Sequence, residues 1–302
     1  MEKKPFISAK KMSALKDFVC VVPALILLAI FTYYPICKLV QISFTDWNLI
    51  NETWNYVGFK NWVWLFNGSG TKYLINSLKV TFLYSCGEIL ITLGGGMLLA
   101  LVFNRMTKAF SIMRAIVFVP KYVAMSSAAV VFLWILNTDT GILNYFLKTI
   151  GLPAVDWLGQ RETALIAVLM LTGWRTLGYG MMIYLSAMIG ISKDYYEAAS
   201  LDGASAFQQF TKITLPLLSP TTLFLFVTTF ISSMKVFQSI DIMTGGGPYR
   251  STEVFVYKIY QYAMEDFRMD RASVIAVAFF VLLLIFTAST FKISNKNVHY
   301  DS

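Results

Sequence analysis

Six runs of this chain, at about residues 18–40, 74–103, 113–136, 163–190, 217–240 and 272–292, are long and apolar. A helix needs about 20 mainly apolar residues to cross the hydrocarbon of a bilayer, and each run meets that length. The expected fold is all-α, a polytopic membrane protein with six transmembrane helices. Composition agrees, because 57% hydrophobic and 14% charged residues do not describe a soluble domain. Six crossings put both ends of the chain on one side. The expected organisation is a basic tail at 1–17, one transmembrane domain at 18–292 and a short tail at 293–302.

Charge assigns the side. Lys3, Lys4, Lys10, Lys11 and Lys16 crowd the N-terminal tail, and the positive-inside rule makes that end cytoplasmic. Arg105, Lys108, Arg114, Lys193, Lys212, Lys292 and Lys296 then also fall inside. Lys60, Lys72, Lys148, Arg161, Arg250, Lys258, Arg268 and Arg271 fall outside, so the bias rests mainly on the tail. The net charge of +8 reads as topology and contact with anionic lipid; basic residues scattered over both faces make no case for nucleic acid. The first run has a basic leader like a signal peptide, but it is too long, contains Pro23 and lacks a small-residue cleavage site before Tyr33-Tyr34-Pro35, so it is expected to be retained. Cys20, Cys37 and Cys86 are not placed to form a disulfide and are expected to be small core residues. The single histidine, His299, sits in the C-terminal tail, and no His/Cys/carboxylate cluster has metal spacing.

The most informative segment is 192–220, SKDYYEAASLDGASAFQQFTKITLPLLSP, a polar interruption between the fourth and fifth runs. Ser192 is a good N-cap, and Asp194 suits the positive end of a helix dipole. Gly203 can take the left-handed conformation that ends a helix. Phe207, Phe210 and Ile213 then recur at helical spacing until Pro216, which no helix passes without a break. The predicted product is a cytoplasmic helical hairpin at 192–216 on the membrane surface. Ala198 and Ala199 leave room for another backbone, and Glu197 presents a carboxylate on an exposed helix, which makes a docking surface.

Glu197-Ala198-Ala199, Asp202-Gly203-Ala204, Phe210, Ile213, Leu215-Pro216 and Pro220 closely resemble the EAA loop of binding-protein-dependent ABC import permeases. The resemblance extends over nearly all six runs: Ala100-Leu101, Asn104, Arg114, Pro120, Gly141-Ile142-Leu143-Asn144, Lys235-Val236-Phe237, Thr244-Gly245-Gly246-Gly247-Pro248, Ser251-Thr252, Tyr260 and the small-residue stretch 272–278. Together they are similar to the sugar and glycerol-phosphate branch, in the bacterial plasma membrane and with type I importer architecture. It implies a second homologous permease, two ATPase subunits that bind ATP and Mg, and an extracellular solute-binding protein. No GxxxxGK[ST] occurs in the chain, in keeping with nucleotide chemistry on partner subunits and none here. By the resemblance, the surface that couples to the ATPase is Tyr196, Glu197, Ala198, Ala199, Asp202, Gly203, Ala204, Phe207, Phe210, Leu215 and Pro216. The receptor is expected to dock at Gly245, Gly246, Gly247 and Pro248, where a plain tight turn is the competing reading.

Ionisable groups at membrane depth demand a reason, since each costs about 3 kcal/mol at a helix centre. Glu88 and Arg175 are expected at similar depth, where they could pair. Lys235 is expected to snorkel to the outer headgroups and Lys121 to the inner ones. Structural and path-lining roles both stand for these charges. Trp174, Tyr179, Tyr184, Thr229, Ser232, Ser233 and Gln238 could meet a sugar's faces and hydroxyls. Since the fourth and fifth crossings line the path in related importers, the resemblance favours Tyr179, Ser232, Ser233 and Gln238, with Arg175 and Lys235 as counter-charges for an anionic solute. Gly94-Gly95-Gly96 weakens its helix but allows neighbours to pack closely. Interfacial aromatics such as Tyr33, Tyr34, Trp47, Trp54, Trp62 and Trp64 read as belt anchors. A secondary transporter would need repeats or broken helices with ion ligands at the midplane, and no motif recurs. An intramembrane enzyme would lack catalytic groups.

Overall fold

A computed structural model describes residues 9–105 and 107–297. Lys3, Lys4 and His299 lie outside the described residues, as do the side chains of Lys10, Lys11, Lys16 and Lys296. Four unbroken helices are long and apolar enough to cross a membrane: Asp17–Ile42, Gly70–Phe103, Arg161–Ile189 and Met269–Thr290. Two further crossings are bent pairs, Lys108–Tyr122 with Met125–Ile135 at 103° and Ala206–Leu217 with Ser219–Met234 at 61°.

The fourth span is the hub. Its buried face, which includes Ala164, Ala167, Val168, Leu171, Thr172, Gly178, Met181, Leu185 and Met188, repeats every three or four residues and packs against the second span. Glycine makes the crossing close: a Cβ on Gly96 would meet the Gly180 backbone at 2.8 Å, and one on Gly95 would meet Leu177 at 2.5 Å. Close packing is therefore the role of Gly95 and Gly96, while Gly94 faces open space apart from Leu90. The second span widens into π-helix over Leu90–Gly95, which turns Thr92 Oγ1 to donate to Thr176 Oγ1 at 3.0 Å.

Three expectations change. The third run is not one straight crossing: Val119–Tyr122 is a 3-10 turn with Pro120 near its start, Val123 and Ala124 are extended, and a new helix starts at Met125 nearly perpendicular to the first. The fifth helix ends at Met234, short of 240, and Gln238–Met243 is a separate short helix. Lys235 is thus the residue after the helix, where its chain turns inward. Cys20, Cys37 and Cys86 are unpaired, as expected, but all three are exposed on the outer surface of the bundle rather than in the core.

Outside the spans, Lys60–Asn67 packs on the sixth helix. Trp64 is held there, half-buried, by an Nε1 hydrogen bond to Ser69 Oγ at 3.0 Å. Asn144 accounts for its motif by organising the outer loop: it donates to Thr138 O at 3.0 Å and Val155 O at 2.8 Å, and accepts from Trp157 Nε1 at 3.1 Å.

Candidate translocation path and coupling surface

Two adjoining cavities of about 280 and 260 Å³ open between the second, fourth and fifth spans and the break in the third. Glu88, Lys121, Thr176 and Ser232 line both, so the two share a polar wall. Arg175, Lys235 and Gln238 line the first cavity and Tyr179 the second. Ser233 is the exception. It is fully buried and donates to Phe230 O at 2.8 Å, because one step along a helix turns a side chain by about 100°.

Glu88 and Arg175 make no ion pair, correcting their expected pairing. Arg175 instead reaches the break in the third span, donating to Lys121 O and Met125 Sδ at 3.3 Å each. A break at membrane depth leaves backbone groups that lipid cannot satisfy; Arg175 supplies a donor to one of them. Lys121 does not snorkel to the inner headgroups. Its ammonium sits 4.6 Å from the centre of the Tyr179 ring and faces the cavity, a placement that aromatic π-density favours. Lys235 is exposed at the helix end and lines the same cavity. Three cations and one carboxylate therefore line one cavity. The N-terminal end of the Met125–Ile135 helix meets the same space, adding the positive pole of its dipole.

Sequence reasoning missed Thr92, Thr176 and Thr228 as lining groups, and treated Lys121 as an anchor. Thr176 carried a signal, since it stands one residue from Arg175 and three from Tyr179. Lys121 carried none, because its aim depends on the break.

The hairpin is built as its residues demand. Ser192 Oγ accepts from Asp194 N at 3.3 Å, and the first helix runs Lys193–Leu201. It closes with Ala204 N bonded to Ala199 O at 2.9 Å and Gly203 N to Ser200 O at 3.1 Å, the paired bonds of a Schellman end, with Gly203 at φ +77°. Ser205 and Gln208 then form a capping box. Tyr196 Oη shares a hydrogen bond of 2.9 Å with Thr214 Oγ1, and Gln209 Nε2 donates to Ser200 Oγ at 3.0 Å, which locks the two arms. Leu201 and Phe207 stay 91% and 75% exposed. Glu197, Ala198, Asp202, Leu215 and Pro216 are also exposed, whereas Ala199, Ala204 and Phe210 are half-buried.

At the other face, Gly245 and Gly246 both have positive φ. A Cβ on Gly246 would meet the Tyr257 ring at 2.6 Å, so this glycine serves a tight turn, pinned by Thr252 Oγ1 donating to Gly247 O at 2.7 Å. Gly247 and Pro248 are half-buried, and the exposed tip is Tyr249.

Comparison with known proteins adds three findings. The profile of the family described as "Binding-protein-dependent transport system inner membrane component" matches residues 92–292. The chain is 33% identical over 279 residues to the probable ABC transporter permease protein YurN of Bacillus subtilis, covering 91% of this chain and 94% of that one. It is 31% identical over 284 residues to the sn-glycerol-3-phosphate transport system permease protein UgpA of Agrobacterium fabrum, covering 94% and 96%. Among solved structures, it matches a chain of a bacterial ABC transporter involved in the import of the acidic polysaccharide alginate, with TM-score 0.82, 27% identity and coverage of 96% and 98%. A second alginate transporter structure, in complex with a pentasaccharide-bound periplasmic protein, matches with TM-score 0.81, 27% identity and coverage of 95% and 96%. A helical bundle around a polar cavity, a capped polar hairpin and these matches converge on one conclusion: the chain belongs to the family of inner-membrane permease components of binding-protein-dependent ABC importers.

Proposed function

We propose that this permease forms one half of the path for a sugar or oligosaccharide bearing negative charge, delivered by an extracellular binding protein and driven by ATP hydrolysis on two partner subunits. One observation carries the choice of charge: Lys121, Arg175 and Lys235 open into a cavity with Glu88 as the one lining carboxylate. Had protein carboxylates neutralised those cations, a neutral sugar would be the better reading. Thr176, Ser232, Gln238 and Tyr179 supply hydroxyls, an amide and a ring for the rest of a saccharide. The relatives are consistent with this class, since one is a glycerol-phosphate permease and one a chain of an acidic-polysaccharide importer. A second, similar permease completes the path. The hairpin seats in the ATPase on the cytoplasmic side, where both chain ends also lie, and rigid movement of the hairpin rocks the fourth and fifth spans. The binding protein docks around Gly245, Gly246, Gly247 and Pro248, with Tyr249 the most exposed contact.

The test is uptake by the reconstituted importer with its binding protein, comparing acidic and neutral oligosaccharides of equal length. Preferential uptake of the acidic member, lost in Lys121→Gln, supports the proposal. Equal uptake of both, unchanged in that variant, defeats it.

A further inference from the structure

A third cavity of about 340 Å³ lies on the outer side, away from the two central ones. Tyr73 and Glu88 stand fifteen residues apart on one helix, so at about 1.5 Å per residue the two sites are separated by about 22 Å along it. The cavity is within the ~300–1,000 Å³ range of small-molecule pockets.

Its walls combine cations with aromatic rings. Arg250 lies 4.4 Å and Lys258 4.7 Å from the Tyr73 ring centre, Lys258 is also 4.7 Å from Tyr262, and Arg271 is 4.6 Å from Trp64. Lys258, itself buried, donates to Glu253 Oε2 at 3.4 Å and Gln261 Oε1 at 3.2 Å, and Arg250 approaches the same Glu253 oxygen at 3.8 Å. Arg268 is taken by Asp270 at 2.7 Å. Arg271 has no carboxylate within ion-pair distance among the described residues. The Trp64 indole holds its guanidinium plane and leaves the hydrogen-bonding edges free, which suits a planar carboxylate. Gln261, Glu265 and Asp266 complete the lining with acceptors that suit sugar hydroxyls.

From this arrangement we infer a second solute site on the outer face, formed by Trp64, Tyr73, Arg250, Lys258 and Arg271, that takes a single sugar-acid unit, its carboxylate on Arg271 and its hydroxyls on the Glu265 and Asp266 side. The ligand class rests on the reading proposed for the central cavity; the site itself does not. Its place at the outer end of the second span makes it a holding point before entry.

The assembled importer in nanodiscs is titrated with D-glucuronate and with D-glucose by calorimetry and tryptophan fluorescence. Two components of glucuronate binding are expected: the outer one weakens at least tenfold in Arg271→Gln, recovers largely in Arg271→Lys and loses its fluorescence change in Trp64→Phe, while the central one is the component that weakens in Arg175→Gln. No component changed by Arg271→Gln, or glucose binding as tightly as glucuronate to the component that it changes, overturns the inference. If the only component depends on Arg175, the outer site falls and the central reading survives. If the only component depends on Arg271, the outer site stands and the central reading falls.

Discussion

Arg175 joins the fold to the proposed path. It donates to Lys121 O across the break and lines the cavity with its charge. A hydrogen bond to a charged group contributes about 1.5–3 kcal/mol, so Arg175→Gln is expected to lower uptake of an acidic solute roughly 10- to 100-fold at normal membrane abundance; initial rates in inverted and right-side vesicles check it, and an unchanged rate counts against the role. The serine pair gives a sharper contrast. Ser232 lines both cavities whereas Ser233 is spent on Phe230 O. Ser232→Ala should therefore raise the apparent KM several-fold with kcat for ATP hydrolysis retained, and Ser233→Ala should leave both unchanged. A shift in KM for Ser233→Ala alone would reverse their assignment.

At the scale of elements, the hairpin depends on its turn. Nothing lies within 4 Å of a Cβ built on Gly203, so substitution there costs only backbone strain, about 1–2 kcal/mol for a side chain forced to positive φ. Gly203→Val is expected to keep the protein inserted while ATPase stimulation by loaded binding protein drops several-fold, and Gly203→Asn, which tolerates the left-handed region, to retain most of it. Equal stimulation in Gly203→Val and wild type would separate the hairpin's angle from coupling. This hairpin was legible in the sequence because caps, glycine and proline are local signals. The breaks were not. Pro120 marks a weak point, but the 103° turn after it comes from how the short segments pack on the fourth span, and apolar runs read the same whether straight or folded back. The cavity was half legible for the same reason: Tyr179, Ser232 and Gln238 lie on elements whose faces the sequence suggests, Ser233 does not face inward, and Lys121 enters only through the broken backbone.

On the scale of the whole molecule, one apolar face stays uncovered by the chain itself. The apolar stretch of the first span has none of its residues buried within this chain, and Ser126, Ser127, Val130, Val131 and Trp134 of the broken third span are exposed. Lipid can cover valine and tryptophan, but helix-starting N–H groups at a break are tolerated only against protein or a water-lined path, and Ala124 gives Met125 no side-chain cap. A second permease packed across this face would enclose the cavity on its open side and bury the break. A photo-reactive benzoylphenylalanine placed at Val131 in the native membrane is therefore expected to cross-link to a protein of permease size, with the same residue at the lipid-exposed Leu284 giving lipid adducts. Lipid adducts alone at Val131, with the importer active, would mean that the path is closed by some other surface.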